Sequence, residues 1–323
     1  MPHDVAVSGR SPVVDRMRAR APAYWRYMRE KPSWLAMFLF ARTLSGRRLE
    51  RWLHGAGHGR AGQRRAGAGL AAPITGSILP DLDPAGVVGR LIEDGVYVGL
   101  RLPDAIVRDI RDFADSTPCF PRDQQDRGFL PADVGQANRA RERDIIAAYY
   151  FEAVEQSPTI RDLGRDAALL AIAAAYLGHR PVLIRTRLWW SFPGTRVSDA
   201  DLHAAAQEKF HFDMNGWRTL KFFFYLTQVD EASGPHRCIV GSHRIRSWRH
   251  QISLTVGRPV DELIGIYGRD RFLAITGPAG LGFAEDPFVF HAGSLCRDHP
   301  RLILELEYAP RPSNPSYRYG RLG

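Results

Sequence analysis

Apolar and polar positions along the chain change their rhythm once. Up to about residue 180 the apolar residues recur at helical spacing. After Pro181 they gather in short β-rich runs cut by Gly, Pro, Asn and Asp. Residues 12–53 read as two or three helices. Pro32 and Ser33 suit a helix start, Trp34, Leu35, Phe38 and Leu39 form an apolar face flanked by Arg42, Arg47 and Arg48, and Gly46 is a candidate stop. Residues 55–69, rich in Gly, Ala and Arg without periodicity, read as a linker and put a domain boundary near residue 78. Beyond it a strand is predicted at 96–100, and Pro103 with Asp104 opens an amphipathic helix through Phe113. Helices at 141–156 and 161–177 follow, the second rich enough in Ala and Leu to be buried. Strands are predicted at 182–190, 209–212, 220–226, 238–240, 272–276, 288–291 and 302–308. Helices first and an all-β half second predict an α+β chain with a mainly β core, a barrel or sandwich braced by helices. The division expected is 1–78, a basic helical extension with its linker, and 79–323, the β-rich domain.

Composition changes this picture little. Of 323 residues, 45% are hydrophobic and 24% charged, with 7 Trp, 16 Phe and 11 Tyr, so a large core is expected and disorder as the main state is excluded. Cys119, Cys238 and Cys296 form no close pair, which argues against a disulfide framework or a CxxC zinc site and fits a reducing cytoplasm. The apolar stretch from Trp34 to Phe40 is far shorter than the roughly 20 residues that span a bilayer. It also lies too deep behind charged residues for a signal peptide.

Charge matters more for where it sits. The net charge is +9, but residues 1–65 hold fourteen Arg or Lys against Asp4, Asp15, Glu30 and Glu50, leaving the rest near neutral. Nucleic acid is therefore not the expected partner of the β-rich body. The basic segment, with Trp25, Trp34 and Phe38, fits either a peripheral contact with an anionic membrane surface or a helical extension packed on the barrel or a partner subunit.

The tightest chemical signal is His211-Phe212-Asp213. On a strand, side chains two apart leave the same face, so this imidazole and carboxylate can share a metal. His291, at the end of the apolar run 286–290, is the best third ligand. Two imidazoles and one carboxylate leave three positions of a six-coordinate ion open, which suits Fe(II) binding a co-substrate and oxygen together. Arg301, ten residues on and opening the run 302–308, can grip a dicarboxylate through a two-pronged pair, with Arg297 as the alternative. Arg185, Arg187, Arg218 and Lys221 are candidate anion-binding groups. Trp189, Trp190 and Trp217 are candidates for a substrate cavity or plain core. His236 and His243 flank a short strand and compete for the metal, whereas His203, His250, His299 and Cys296 read as solvated or packed.

These residues stand in an order that resembles the phytanoyl-CoA dioxygenase family of Fe(II)- and 2-oxoglutarate-dependent oxygenases. Glu93-Asp94-Gly95-Val96-Tyr97-Val98 comes first, then His211-Phe212-Asp213 and Phe223-Phe224-Tyr225-Leu226-Thr227-Gln228-Val229-Asp230. Ser233-Gly234-Pro235, Gly241-Ser242-His243-Arg244, His291 and Arg301 complete the order. The resemblance spans about residues 79–310. It implies a double-stranded β-helix (jelly-roll, cupin-like) with iron held by His211, Asp213 and His291, and 2-oxoglutarate held by Arg301. The segment Ala292-Gly293-Ser294-Leu295-Cys296 departs from the family, whose members often carry Gly-Ser and an Asn there, and the spacing to Arg301 is about one residue shorter than common. The implied reaction consumes O2 and 2-oxoglutarate, releases succinate and CO2, and hydroxylates an unactivated C–H bond of a small molecule, lipid or glycan precursor. Asp213 favours hydroxylation over halogenation, since related halogenases lack that carboxylate; desaturation and ring formation stay open. The alternative is a non-catalytic barrel whose basic N-terminal segment binds an anionic membrane or nucleic acid.

Overall fold

The computed structural model describes residue 29, residues 36–56 and residues 76–311, less 38, 80–81, 142, 199–201, 203–208, 215 and 253–256. Trp25, Pro32 to Leu35, Phe38, His203 and the linker beyond Ala56 lie outside the described residues. Helix α1 spans Leu44–Ala56. Gly46 does not end it but sits in its first turn, because the Thr43 hydroxyl accepts from Gly46 N at 2.9 Å and caps the start. Helix α2, Pro84–Asp94, starts on an Asp83 cap and stops at Gly95 in the left-handed conformation. It leads into β1, Val96–Arg101, and then α3, Asp104–Ser116.

Two predicted helices are corrected. Residues 141–156 are not one helix: Ala147–Tyr149 forms strand β3 against β4 (Val182–Ser191). The Ala-rich segment lies along an edge whose backbone groups need partners, and that tertiary demand overrides local propensity. The helix predicted at 161–177 is two, α4 (Pro158–Leu163) and α5 (Ala167–Leu177), parted at Gly164. The Asp166 carboxylate caps the second by accepting from Ala168 N and Leu169 N. Helix α5 is buried as predicted.

The remaining strands are β2 (Phe120–Pro121), β5 (Leu220–Tyr225), β6 (His236–Ile239), β7 (Phe272–Ile275), β8 (Leu281–Glu285), β9 (His291–Ala292) and β10 (Arg301–Ala309). They form an antiparallel seven-stranded sheet ordered β1-β8-β5-β10-β4-β3-β2 and a three-stranded sheet ordered β7-β6-β9. Among the described residues the two sheets do not join into a hydrogen-bonded ring. Residues 209–212 add only bridges, His211 to His291 and Phe210 to Arg258. The run 286–290 is not a strand but a turn, with Val289 N bonded to Asp286 O at 2.8 Å; the strand begins at His291.

Strand β10 shows why the sheets stack. All nine of its residues are buried. Leu302, Leu304, Leu306 and Tyr308 join the core shared with the helices, while Ile303 joins the core between the sheets with Phe223, Tyr225, Cys238, Ile275 and Phe283. A third core, including Phe210, Ile239, Leu263 and Phe290, covers the outer side of the small sheet. Helices, large sheet, small sheet and a last helix at Val260–Tyr267 are thus stacked layers. No helix among the described residues is long and apolar enough to cross a membrane.

Candidate metal centre

The space between the sheets is apolar at one end and charged at the other. His211, Asp213 and His291 offer ligand atoms that all lie within 4.8 Å of one another. The bridge that pairs His211 with His291, through N–H···O bonds of 2.9 and 2.8 Å, sets the two imidazoles side by side with ring centroids 4.5 Å apart. Each ring is oriented by its other nitrogen: His211 Nδ1 donates to Lys209 O at 3.1 Å and His291 Nδ1 to Val289 O at 3.0 Å. A carbonyl only accepts, so each neutral ring carries its proton on Nδ1 and presents a bare Nε2 lone pair. Those Nε2 atoms lie 3.9 and 3.8 Å from the two Asp213 oxygens.

The electrostatics suit a cation. Burial pushes His291 down to about 4, so it is neutral and able to ligate at ordinary pH. Burial alone would raise Asp213, but the Lys221 ammonium holds its carboxyl well below the usual range. Behind His291 stands Glu285, its Oε1 3.5 Å from Nδ1 and its Oε2 2.9 Å from His236 Nε2. Burial lifts Glu285 to about 7 and lowers His236 to about 3. His236 therefore pairs with a carboxyl group instead of joining the triad. His243 lies in a turn, bonded to Ile92 O at 3.2 Å. His250 takes the structural role of the two expected for it: it is buried and bonded to Glu262 at 2.8 Å.

Arg301 is buried at the start of β10. It donates to Gly234 O and, at 3.1 Å, to Ser191 Oγ, while its buried Nε–H has no acceptor among the described residues. An orphaned guanidinium donor facing the sheet interior fits an anionic ligand. Gly234 is required here, because its φ is +69° and a Cβ would strike the 294–296 backbone. Arg297 is exposed and bonded to Glu231 O. Cys296 is a packed thiol, donating to Ser233 O at 3.0 Å.

Arg185, Arg187 and Lys221 point inward and are already engaged. The two arginines clasp the buried Glu305, and Lys221 contacts Asp213. Sequence reasoning missed Glu285, Ser191 and Glu305. Alternation in Leu302 to Tyr308 reads as one wet face, and only the second sheet makes that face interior. Toward the rim, the Arg187 guanidinium lies 5.0 Å over Trp189, which stacks on Tyr149, beside a cavity also lined by Arg122 and Phe151. Trp190 belongs instead to the helix-side core.

No family model and no curated protein matches the chain. Solved structures do. It is similar to EctD from S. alaskensis in its apo form, with a TM-score of 0.51 and 21% identity, covering 78% of this chain and 89% of that one. It is similar also to EctD with 2-oxoglutarate and 5-hydroxyectoine, at TM-score 0.50 and 20% identity over the same shares. The chain thus shares the fold of EctD.

Proposed function

We propose that the protein is an Fe(II)- and 2-oxoglutarate-dependent dioxygenase that hydroxylates an unactivated C–H bond of a small molecule, lipid or glycan precursor. The observation that carries this reading is the convergence of two bare imidazole nitrogens on one ionised carboxylate, each ring pinned through Nδ1. His211, Asp213 and His291 would hold the iron. Arg301 would bind the far carboxylate of 2-oxoglutarate through donors that include its free Nε–H. Iron and 2-oxoglutarate together supply activation of O2, with release of succinate and CO2 and transfer of one oxygen atom to the substrate carbon. The chain's own part is to keep the His291 imidazole neutral, hold Asp213 ionised, and exclude water behind the Phe223, Tyr225 and Phe283 layer. Asp213 fills the place that a halide needs in the related halogenases, which favours hydroxylation. EctD, which shares the fold, holds 2-oxoglutarate in one of its structures.

Anaerobic titration of metal-free protein with Fe(II) and then 2-oxoglutarate tests the reading through the visible metal-to-ligand charge-transfer band. The band is expected in the native protein, lost in His291→Ala, and shifted to at least tenfold higher 2-oxoglutarate in Arg301→Ala. Folded native protein that binds neither ligand overturns the proposal and moves attention to the basic N-terminal segment as a binding module.

A further inference from the structure

Lys221 is a buried ammonium whose retention needs a reason. It lies in the middle of the large sheet, where β5 pairs it with Glu285 of β8 on one side and Glu307 of β10 on the other. Only 1% of it is exposed. A charge so buried is strongly unfavourable unless another charge compensates it. The neighbouring Glu305 is clasped by Arg185 and Arg187 and stands 3.9 Å from the lysine. The direct partner of the ammonium is instead Asp213, at Oδ2. That leaves Oδ1, on the His211 side, as the carboxylate oxygen without a cationic partner among the described residues.

We propose that Lys221 is a positioning residue for the metal centre: by occupying Asp213 Oδ2 it makes the carboxylate a one-oxygen ligand through Oδ1. The inference rests on the metal-binding reading given above. Carboxylates bind cations through one oxygen or two. A two-oxygen Asp213 would consume one of the three positions needed by co-substrate and O2, and an ammonium on Oδ2 prevents this. The same contact holds the carboxylate between the two imidazoles, with Oδ1 3.9 Å from His211 Nε2 and Oδ2 3.8 Å from His291 Nε2.

The sign of one measurement separates positioning from simple charge. A cation beside the site repels a dication, so removing Lys221 for charge reasons alone would tighten metal binding. Loss of positioning would weaken it, by the roughly 10- to 100-fold typical when a partner of a metal ligand is removed. Metal-free native protein, Lys221→Met, Lys221→Gln and Lys221→Arg are titrated with Co(II), following visible absorption for affinity and coordination and circular dichroism for fold. Lys221→Met is expected to bind Co(II) at least tenfold more weakly, with an altered cobalt spectrum. Lys221→Arg is expected to restore affinity to within about threefold. Glutamine ends one bond short of the lysine nitrogen and carries no charge, so Lys221→Gln carries the same prediction if Lys221→Met does not fold. Equal or tighter Co(II) binding by a folded methionine or glutamine variant, with the native spectrum, overturns the positioning role while leaving the metal centre intact. Native protein that binds no Co(II) overturns the metal-binding reading itself, and this inference with it.

Discussion

At the scale of single residues, Arg301 depends on its neighbours for aim. Its long side chain is held by the Gly234 carbonyl and by Ser191, directly opposite on β4. Ser191→Ala removes one hydrogen bond to a charged group, worth about 1.5–3 kcal/mol at most and nearer 1 when the donor can find another acceptor. Isothermal calorimetry is therefore expected to show 2-oxoglutarate affinity falling roughly fivefold, at about 1 kcal/mol, with Co(II) affinity unchanged. An unchanged 2-oxoglutarate affinity would show that Ser191 does not aim the guanidinium. Lys221 was visible in the sequence as a charged residue inside the apolar run Leu220 to Tyr225, but its partner was not. Asp213 is near in sequence, and only the fold sets the two in contact.

Among elements, the turn before His291 is the joint on which the site hangs. Asp286 O accepts from Val289 N, Asp286 Oδ1 accepts from Phe288 N, and Asp286 N donates to Gly95 O at 2.8 Å. Gly95 ends α2 at φ +77°, and a Cβ there would collide with Val289 and His243. Gly95→Ala therefore combines left-handed backbone strain with overpacking. About 2–4 kcal/mol of stability is expected to be lost in urea unfolding. A loss under 0.5 kcal/mol would mean the turn relaxes freely. The motif from Glu93 to Val98 was legible as a strand start. Its role as a buttress for a histidine nearly two hundred residues away was not, because no local pattern encodes that distance.

For the whole molecule, the N-terminal part is tied to the β-sheets by charge. Arg47 of α1 reaches Asp286 at 3.1 Å and lies 4.1 Å over Phe288, while Tyr176 of α5 donates to the same carboxylate at 2.6 Å. Helix α1 is thus seen to pack on the body through Arg47. Burial alone would raise Asp286, but Arg47, His243 and these hydrogen bonds lower it below its ordinary 3.8. A carboxyl lowered on folding stabilises fully above its unfolded value and loses that contribution as pH falls through its folded one. Arg47→Met is expected to cost about 3–5 kcal/mol at pH 7, as for one partner of a buried pair. The difference from native should shrink as pH falls below 3.8. Urea unfolding of both proteins between pH 7 and 2.5 checks this, and a constant difference would count against the pair.

The sequence by itself determined the class of fold, the preponderance of strands after residue 181, the burial of α5 and the candidates His211, Asp213, His291 and Arg301. Each is written in local periodicity or in short motifs whose order survives in one dimension. Tertiary structure alone decided that residues 147–149 pair as a strand, that the run before His291 is a turn, and that Glu285, Glu305, Arg185 and Arg187 face inward. Those outcomes depend on a second sheet covering the face that alternation marks as wet. Burial of a charge is decided by partners brought from distant parts of the chain, and the charge pattern along a single strand cannot specify them.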